Sequence, residues 1–472
     1  MKRTKILATY GPSVSPARTL KKLIASGVDA VRINCSHGDA ADFEAAANAV
    51  REAANQAKRR IGILFDISGP KLRLERFEGE LPIRKGARLT LTRGKSNPAE
   101  MVLGVNHPAI IKSVKKGERL MIDDGQLLFD IEEANGSEVQ LIARNGGVIS
   151  SAKGINLPDS MLAIPTLGQK DRQDIKTAVA LHADFIAISF VRSPEDMNQA
   201  RRLLKKLGGK QMLIAKLEKP EAIAQLEDVM QASDGVMIAR GDLGVEMPPA
   251  EVPLIQKRII RLARLHHKPV IVATQMLESM RHAPRATRAE VNDVASAVYD
   301  AVDAVMLSGE TASGEYPLEA VKTMRDVIVT TETECLDPSK CGISTPMSTG
   351  EHTIPYTIAR AVHESDRHCR ATLICAFTTS GFTARLIASL RPTQSILALS
   401  PSDTVCRQLS LLWSVFAVKV EQPGSFEDML TLVNKHCRQF KLAHPGDVVI
   451  ITGGAPFGFQ VPTNFMHVHE VV

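Results

Sequence analysis

Two short stretches of this chain place a cation and a carboxylate where an apolar run stops. "MLIAKLEKPEA" ends its run in Lys216-Leu217-Glu218, and "GVMIARGDLGVEMP" ends another in Arg240-Gly241-Asp242. In an extended strand residues two apart point the same way, so Lys216 and Glu218 share a side. Two carboxylates at neighbouring strand ends, Glu218 and Asp242, suit a hard divalent cation such as Mg²⁺, which takes one or two carboxylates plus substrate oxygens. A lysine, such a metal and a nearby arginine would together neutralise a phosphoryl group in transfer. A lone Lys-x-Glu is common, and a ring of ion pairs capping a fold would look the same. The elements that place these residues must decide.

Short apolar runs recur with helical patterns between them: "KILATY", "AVRINCS", "IGILFDI", "FIAISFV", "MLIAKL", "VMIARG", "PVIVAT" and "AVMLSG". Ser15-Pro16 and Ser193-Pro194 read as an N-cap and first helical residue, and Gly27 stops the first helix. In "KPEAIAQLEDVMQ", Ile223, Leu226, Val229 and Met230 keep helical spacing. Strand–helix alternation predicts a parallel sheet, and eight units predict a closed (β/α)8 TIM barrel with chemistry where the strands end. Lys216, Glu218, Arg240, Asp242 and Thr274 would then face one cavity.

Between the third and fourth runs the pattern changes to alternating strands and Gly turns, as in "ERLMIDDGQLLFDI". This predicts a small all-β cap domain over residues 71–164, inserted into a barrel made of 1–70 and 165–337. A Ser/Thr/Pro/Gly-rich connector, "PSKCGISTPMSTGEH", leads into a C-terminal open α/β domain over 338–472, with "TLICAF", "SILALS", "FAVKV" and "VVIITGG" as strands.

Composition excludes other classes. A formal charge of +6 is small for 472 residues, and no basic run interleaves with aromatics, which argues against nucleic acid. Seven Cys without a CxxC pair indicate reduced thiols. No apolar stretch has the length of a membrane span, so a cytoplasmic protein is expected. Three stretches are set aside. "RGD" at 240–242 follows a buried strand, "GKS" at 94–96 lacks the earlier Gly of a phosphate loop, and His266-His267 closes a helix.

Ten motifs, among them "TKILATYGPS", "GVDAVRINCSHG", "KGINLP", "MIARGDLGVE", "ATQMLESM" and "MLSGETASGEYPLEAV", occur in order along the chain. On them it closely resembles the pyruvate kinase family over essentially its whole length. The resemblance implies phosphoryl transfer from phosphoenolpyruvate to ADP, giving pyruvate and ATP, under Mg²⁺ (or Mn²⁺). It implies that Lys216 stabilises the phosphoryl group in flight and that Glu218 and Asp242 hold the metal. The backbone N–H groups of Gly241 and Asp242, with the Thr274 hydroxyl, would hold the substrate carboxylate, and Arg32 would grip phosphate. Asn34, His37, Arg73 and Lys153 match nucleotide-side positions. Ser308 and Glu310 match the neighbourhood of enolate protonation. A homotetramer is also implied.

One departure bears on cofactors. Asn34, Ser36 and Asp66 match the family's K⁺ ligands, but Ile67 stands where Thr is usual and Lys71 where K⁺-dependent members carry Glu. A fixed ammonium there would supply the charge of K⁺ and repel it, so activity without K⁺ is expected. Cys35, Tyr10 and Ala286 also depart and are expected to repack locally. In "TTSGFTAR", Thr378, Thr379, Ser380, Gly381 and Thr383 resemble a loop that binds an effector phosphate, and allosteric activation by a phosphorylated metabolite follows as an expectation. Two other readings remain: a phosphoenolpyruvate- or pyruvate-using lyase, against which the cap's Lys153 and Arg73 argue, and a non-catalytic regulator, which could have lost Lys216, Glu218 or Asp242.

Overall fold

The computed structural model describes residues 2–160, 164–335, 353–456 and 461–472. Each of the eight apolar runs becomes a strand: β1 (Lys5–Thr9), β2 (Ala30–Asn34), β3 (Gly62–Ile67), β4 (Phe185–Ile188), β5 (Met212–Leu217), β6 (Gly235–Ala239), β7 (Val270–Ala273) and β8 (Ala304–Leu307). All pair in parallel with their chain neighbours, and β8 returns to β1, so the barrel closes. β-branched and aliphatic residues dominate the strands because both faces are covered, the interior by packed side chains and the exterior by helices.

Leu7, Ala30, Leu64, Phe185, Met237 and Met306 help fill the interior, and Leu411 of the C-terminal domain joins the same cluster. That domain is tied on by polar contacts as well. Lys5 Nζ donates to the Val415 carbonyl at 2.8 Å, and the Trp413 N–H donates to Asp303 Oδ1 at 3.1 Å.

Helix starts follow the capping residues. The helix Pro194–Lys206 begins after Ser193, as its sequence indicates. The first helix starts at Ala17, with Pro16 at the N-cap position, one residue later than the Ser-Pro signal suggests. The stretch after β5 is two helices, Pro220–Ala224 and Leu226–Ala232, broken at Gln225.

The inserted cap holds a six-stranded sheet and a two-stranded one around its own core, including Phe129, Leu91 and Leu141. It also carries a short helix, Pro108–Ser113, started by Pro at its first position. The C-terminal domain has four parallel strands, Leu373–Phe377, Ser395–Ser400, Val415–Lys419 and Val448–Gly453. A fifth strand, Phe465–Glu470, lies antiparallel at the edge. Sequence reading missed it because "FMHVHE" mixes polar and apolar residues, as an edge strand can. The helix Pro317–Cys335 ends just before the connector, which lies outside the described residues.

Candidate active site

Alternate residues of a barrel strand face its interior. On β5, Met212 and Ile214 do so, and the next positions of that parity are Lys216 and then Glu218. The same count leads from Leu7 to Thr9, from Ala30 to Arg32 and Asn34, from Leu64 to Asp66, and from Ala187 to Ser189. The side chains that fill the barrel's lower half are apolar, and those at its C-terminal mouth are polar. Register then sets neighbours: Arg32 lies beside Thr9 and Asn34 beside Asp66.

Lys216 is the hub. Its Nζ is 2.8 Å from Glu218 Oε1, 3.3 Å from Asp66 Oδ1 and 2.9 Å from Ser189 Oγ, so each of its three protons has an acceptor. Arg32 Nε donates to the other oxygen of Asp66 at 2.7 Å and its Nη1 reaches Thr9 Oγ1 at 3.3 Å. Burial works against the Lys216 charge, but Asp66, Glu218 and Asp242 outweigh it and hold the ammonium above the ordinary lysine pKa. Asp66 is buried too, yet Lys216 and Arg32 hold it below the usual carboxylate range. Glu218 and Asp242 go the other way. Burial raises both, Lys216 only partly offsets it, and Glu218 is pushed further by Asp242. The buried Glu218 and the half-buried Asp242, both influenced by one ammonium, are an oxygen donor set short of positive charge, which a divalent cation fits.

Gly241 and Asp242 lie in the first turn of the helix Arg240–Glu246. The Gly241 N–H donates to Thr274 Oγ1 at 2.7 Å, and a Cβ at Gly241 would stand 3.4 Å from that oxygen. Thr274 takes φ +71°, a rare backbone for a β-branched residue, which turns its hydroxyl toward that helix start. Arg240 is not part of the mouth. Its guanidinium turns to Asp293, both contacts at 2.6 Å, and to the Thr274 carbonyl at 2.9 Å. It braces the loop instead of facing the cavity, because Asp293 of the helix Arg288–Tyr299 offers it a bidentate carboxylate.

A cavity of about 170 Å³ lies between cap and barrel, with Arg73, Asp124 and Asn156 on the cap side and Asp242, Lys219 and Glu246 on the barrel side. Lys71 lies on its wall. Burial, then Arg73 and Lys216, hold the Lys71 ammonium below the ordinary lysine pKa, while Asp66 and Asp242 pull the other way. Lys71 therefore faces the site and not bulk water. His37 is lowered by burial and by Lys71, Arg73 and Arg32, which places it in the same positive neighbourhood. Asn34 Oδ1 accepts from the Ser36 N–H at 3.1 Å, and Ile67 is fully buried. Lys153 instead pairs with Asp123 of its own domain at 2.8 Å. Glu310 is fully buried, with its oxygens accepting from the Leu277 and Ser308 N–H groups at 3.0 and 2.7 Å. The buried Ser308 hydroxyl has no hydrogen-bond partner among the described residues.

Thr9, which meets Arg32, escaped sequence reading, and so did two residues that touch the Lys216–Glu218 pair. Ser189 Oγ touches Lys216, and the Phe190 N–H donates to Glu218 Oε2 at 2.7 Å. Strand parity from Phe185 and Ala187 was the signal for Ser189; Phe190 had none, because its contact is made by backbone. In the C-terminal domain, Thr378, Thr379, Ser380 and Thr383 line a second cavity of about 90 Å³ with Val461 and Thr463. Thr383 Oγ1 and Thr463 Oγ1 share a hydrogen bond of 2.6 Å, and Gly381 takes φ +82° at the start of the helix Phe382–Ser389.

The relatives that share this barrel are named for a phosphotransferase. Residues 1–321 match the family model "Pyruvate kinase, barrel domain", and residues 356–469 match "Pyruvate kinase, alpha/beta domain". A pyruvate kinase of Corynebacterium glutamicum is 40% identical over 469 residues, covering 99% of this chain and 97% of its own. One of Methylorubrum extorquens is 38% identical over 468 residues, with the same coverage. The crystal structure of a pyruvate kinase from Cryptosporidium parvum superposes with a TM-score of 0.91 at 33% identity, covering 100% of this chain and 96% of that one. The chain belongs to the pyruvate kinase family.

Proposed function

We propose that this chain moves the phosphoryl group of phosphoenolpyruvate to ADP, giving pyruvate and ATP as the last step of glycolysis. The observation that carries the reading is Lys216, buried at the barrel mouth against Glu218 and Asp66, in a chain that matches pyruvate kinases end to end. Phosphoryl transfer asks a protein for positioning and charge more than for covalent help. Lys216 would stand over the group in flight and Arg32 would grip its oxygens. Gly241, Asp242 and Thr274 would hold the substrate carboxylate at the helix start. His37, Asn34, Arg73 and Lys153 would serve the nucleotide side, and the cap would exclude water. Glu218 and Asp242 would hold Mg²⁺ (or Mn²⁺), which when bound supplies neutralisation of the phosphoryl charge. The unpartnered Ser308 hydroxyl, held by its own N–H to Glu310, supports a role for that pair near the enolate's proton route.

The ammonium of Lys71, biased by Asp66 and Asp242, supports turnover without K⁺ at the Asn34, Ser36, Asp66 and Ile67 positions. The threonine-lined cavity supports activation by a phosphorylated effector at Thr378–Thr383. A homotetramer in the cytoplasm completes the reading; among the described residues no helix is long and apolar enough to cross a membrane.

The test is a coupled assay that follows pyruvate and ATP separately, with and without Mg²⁺ and with a panel of sugar phosphates and AMP. ATP and pyruvate should form one for one, only with the divalent cation. Pyruvate released with inorganic phosphate and without ATP would instead mean transfer to water, and failure to form ATP would overturn the reading.

A further inference from the structure

Lys216 and Glu218 carry the proposed chemistry, but other residues aim them. β4 ends at Ile188, and the next two residues touch both ends of the Lys216–Glu218 pair. Ser189 Oγ accepts from Lys216 Nζ at 2.9 Å, and its own hydrogen points to Asp66 Oδ1 at 3.4 Å. With one donor and one acceptor in place, this buried hydroxyl has a fixed orientation. The Phe190 N–H donates to Glu218 Oε2 at 2.7 Å. To aim it there the backbone enters the left-handed region, φ +54°, which an aromatic residue rarely takes.

The turn is held from both sides. A Cβ on Gly69 would come within 2.9 Å of the Phe190 ring, and Lys219 Nζ stands 5.9 Å from the ring centroid. Backbone strain persists only where the surroundings over-determine it, and it concentrates where geometry matters. Here the strain serves a buried ion pair that would otherwise be free to rearrange. Lys216 has a flexible four-carbon stem, and Glu218 has two oxygens to offer.

We propose that Ser189–Phe190 is the positioning turn of this site: the Ser189 hydroxyl fixes the Lys216 ammonium, and the left-handed Phe190 amide fixes the Glu218 carboxylate. The pair then keeps one geometry as substrate and metal come and go. The inference rests on the roles proposed above for Lys216 and Glu218, and its test separates the two.

The experiment compares Ser189→Ala, Phe190→Gly, Phe190→Ala and Lys216→Met with wild type in the full-length enzyme, reading kcat, KM, Mn²⁺ affinity by electron paramagnetic resonance, and melting temperature. A control, Ser233→Ala, removes another buried hydroxyl that serves only the Val229 carbonyl. Loss of a hydrogen bond to a charged group predicts a fall in kcat of about 10- to 100-fold for Ser189→Ala, with KM for phosphoenolpyruvate changed by no more than about threefold. Ser233→Ala should melt lower and turn over as wild type does. Both Phe190 variants should bind Mn²⁺ several-fold more weakly, and Phe190→Gly should melt above Phe190→Ala, since glycine accepts the left-handed backbone without strain.

If Ser189→Ala turns over within about twofold of wild type while Lys216→Met is inactive, the positioning role is wrong and the reading of Lys216 stands. If Lys216→Met is itself active, the reading fails. Should Ser189→Ala not fold, the Phe190 variants decide: unchanged Mn²⁺ binding in both, or Phe190→Gly melting below Phe190→Ala, overturns the proposal.

Discussion

Lys71→Glu gives the sharpest perturbation of the proposed chemistry. The ammonium lies on the wall of the cavity shared by cap and barrel, close enough to Asp66 and Asp242 for each to bias its proton. Asp66 is the one charged member of the proposed K⁺ set. Two unit charges about 6 Å apart interact by about 3 kcal/mol at an effective dielectric of about 20. Replacing ammonium by carboxylate turns repulsion of a monovalent cation into attraction, doubling that figure. Screening in a half-open cavity removes about half, which leaves about 3 kcal/mol, or about 100-fold in K⁺ affinity.

The assay is initial rate against KCl in buffers whose only other cation is tetramethylammonium, for wild type, Lys71→Glu and Lys71→Glu with Ile67→Thr. Wild type should be active without K⁺, and Lys71→Glu should be slow until K⁺ restores it. A second signature follows from the sign of the pKa shift. Lys71 is lowered, so its charge is present below its own pKa and is lost at a lower pH than that of a free lysine. Wild type should therefore begin to respond to K⁺ as the pH becomes alkaline. A wild-type enzyme almost silent without K⁺ and restored many-fold by it would refute the reasoning.

Other outcomes follow from the same geometry. Thr274→Ala removes the acceptor of the Gly241 amide and the hydroxyl itself; kcat/KM for phosphoenolpyruvate should fall by about 10- to 100-fold in steady-state assays, mostly through KM. Glu218 and Asp242 are both raised, so Mn²⁺ binding should weaken as pH falls through a range above that of ordinary carboxylates. Asp242→Asn removes the like charge, so it should lower overall affinity yet move the remaining acid limb to lower pH, read by Mn²⁺ titration. Asn156 Nδ2 of the cap and Lys219 Nζ of the barrel both donate to Glu246 Oε1, at 2.9 and 2.7 Å. Asn156→Leu should unfasten the cap, raising KM for ADP several-fold and increasing hydrogen exchange in the edge strand Ile155–Asn156.

Where sequence and structure agree, a local signal had a single spatial meaning. A run of four to six buried residues ending in Lys216 or Thr274 could be a barrel strand, and eight of them in order left little else to build. Asp66, Arg32 and Lys216 share parity with the apolar residues that precede them, so their convergence was written in the strands. What escaped depended on the backbone or on competition among partners. Arg240 follows a strand as Lys216 does, but Asp293, more than fifty residues on, claims it. Phe190 acts through an amide, which every residue but proline has. The break at Gln225 interrupts a stretch whose apolar spacing is helical throughout, because the second helix must turn to pack Leu226 and Met230 against the barrel.

Leu411 has a consequence for the whole molecule. It comes from the last third of the chain, yet it packs with the side chains that fill the barrel, whose strands carry Asp66 and Lys216 at their other ends. Severing the chain after Cys335 would open that filling to water and leave Asp303 without the Trp413 amide, so the catalytic half is not a detachable part.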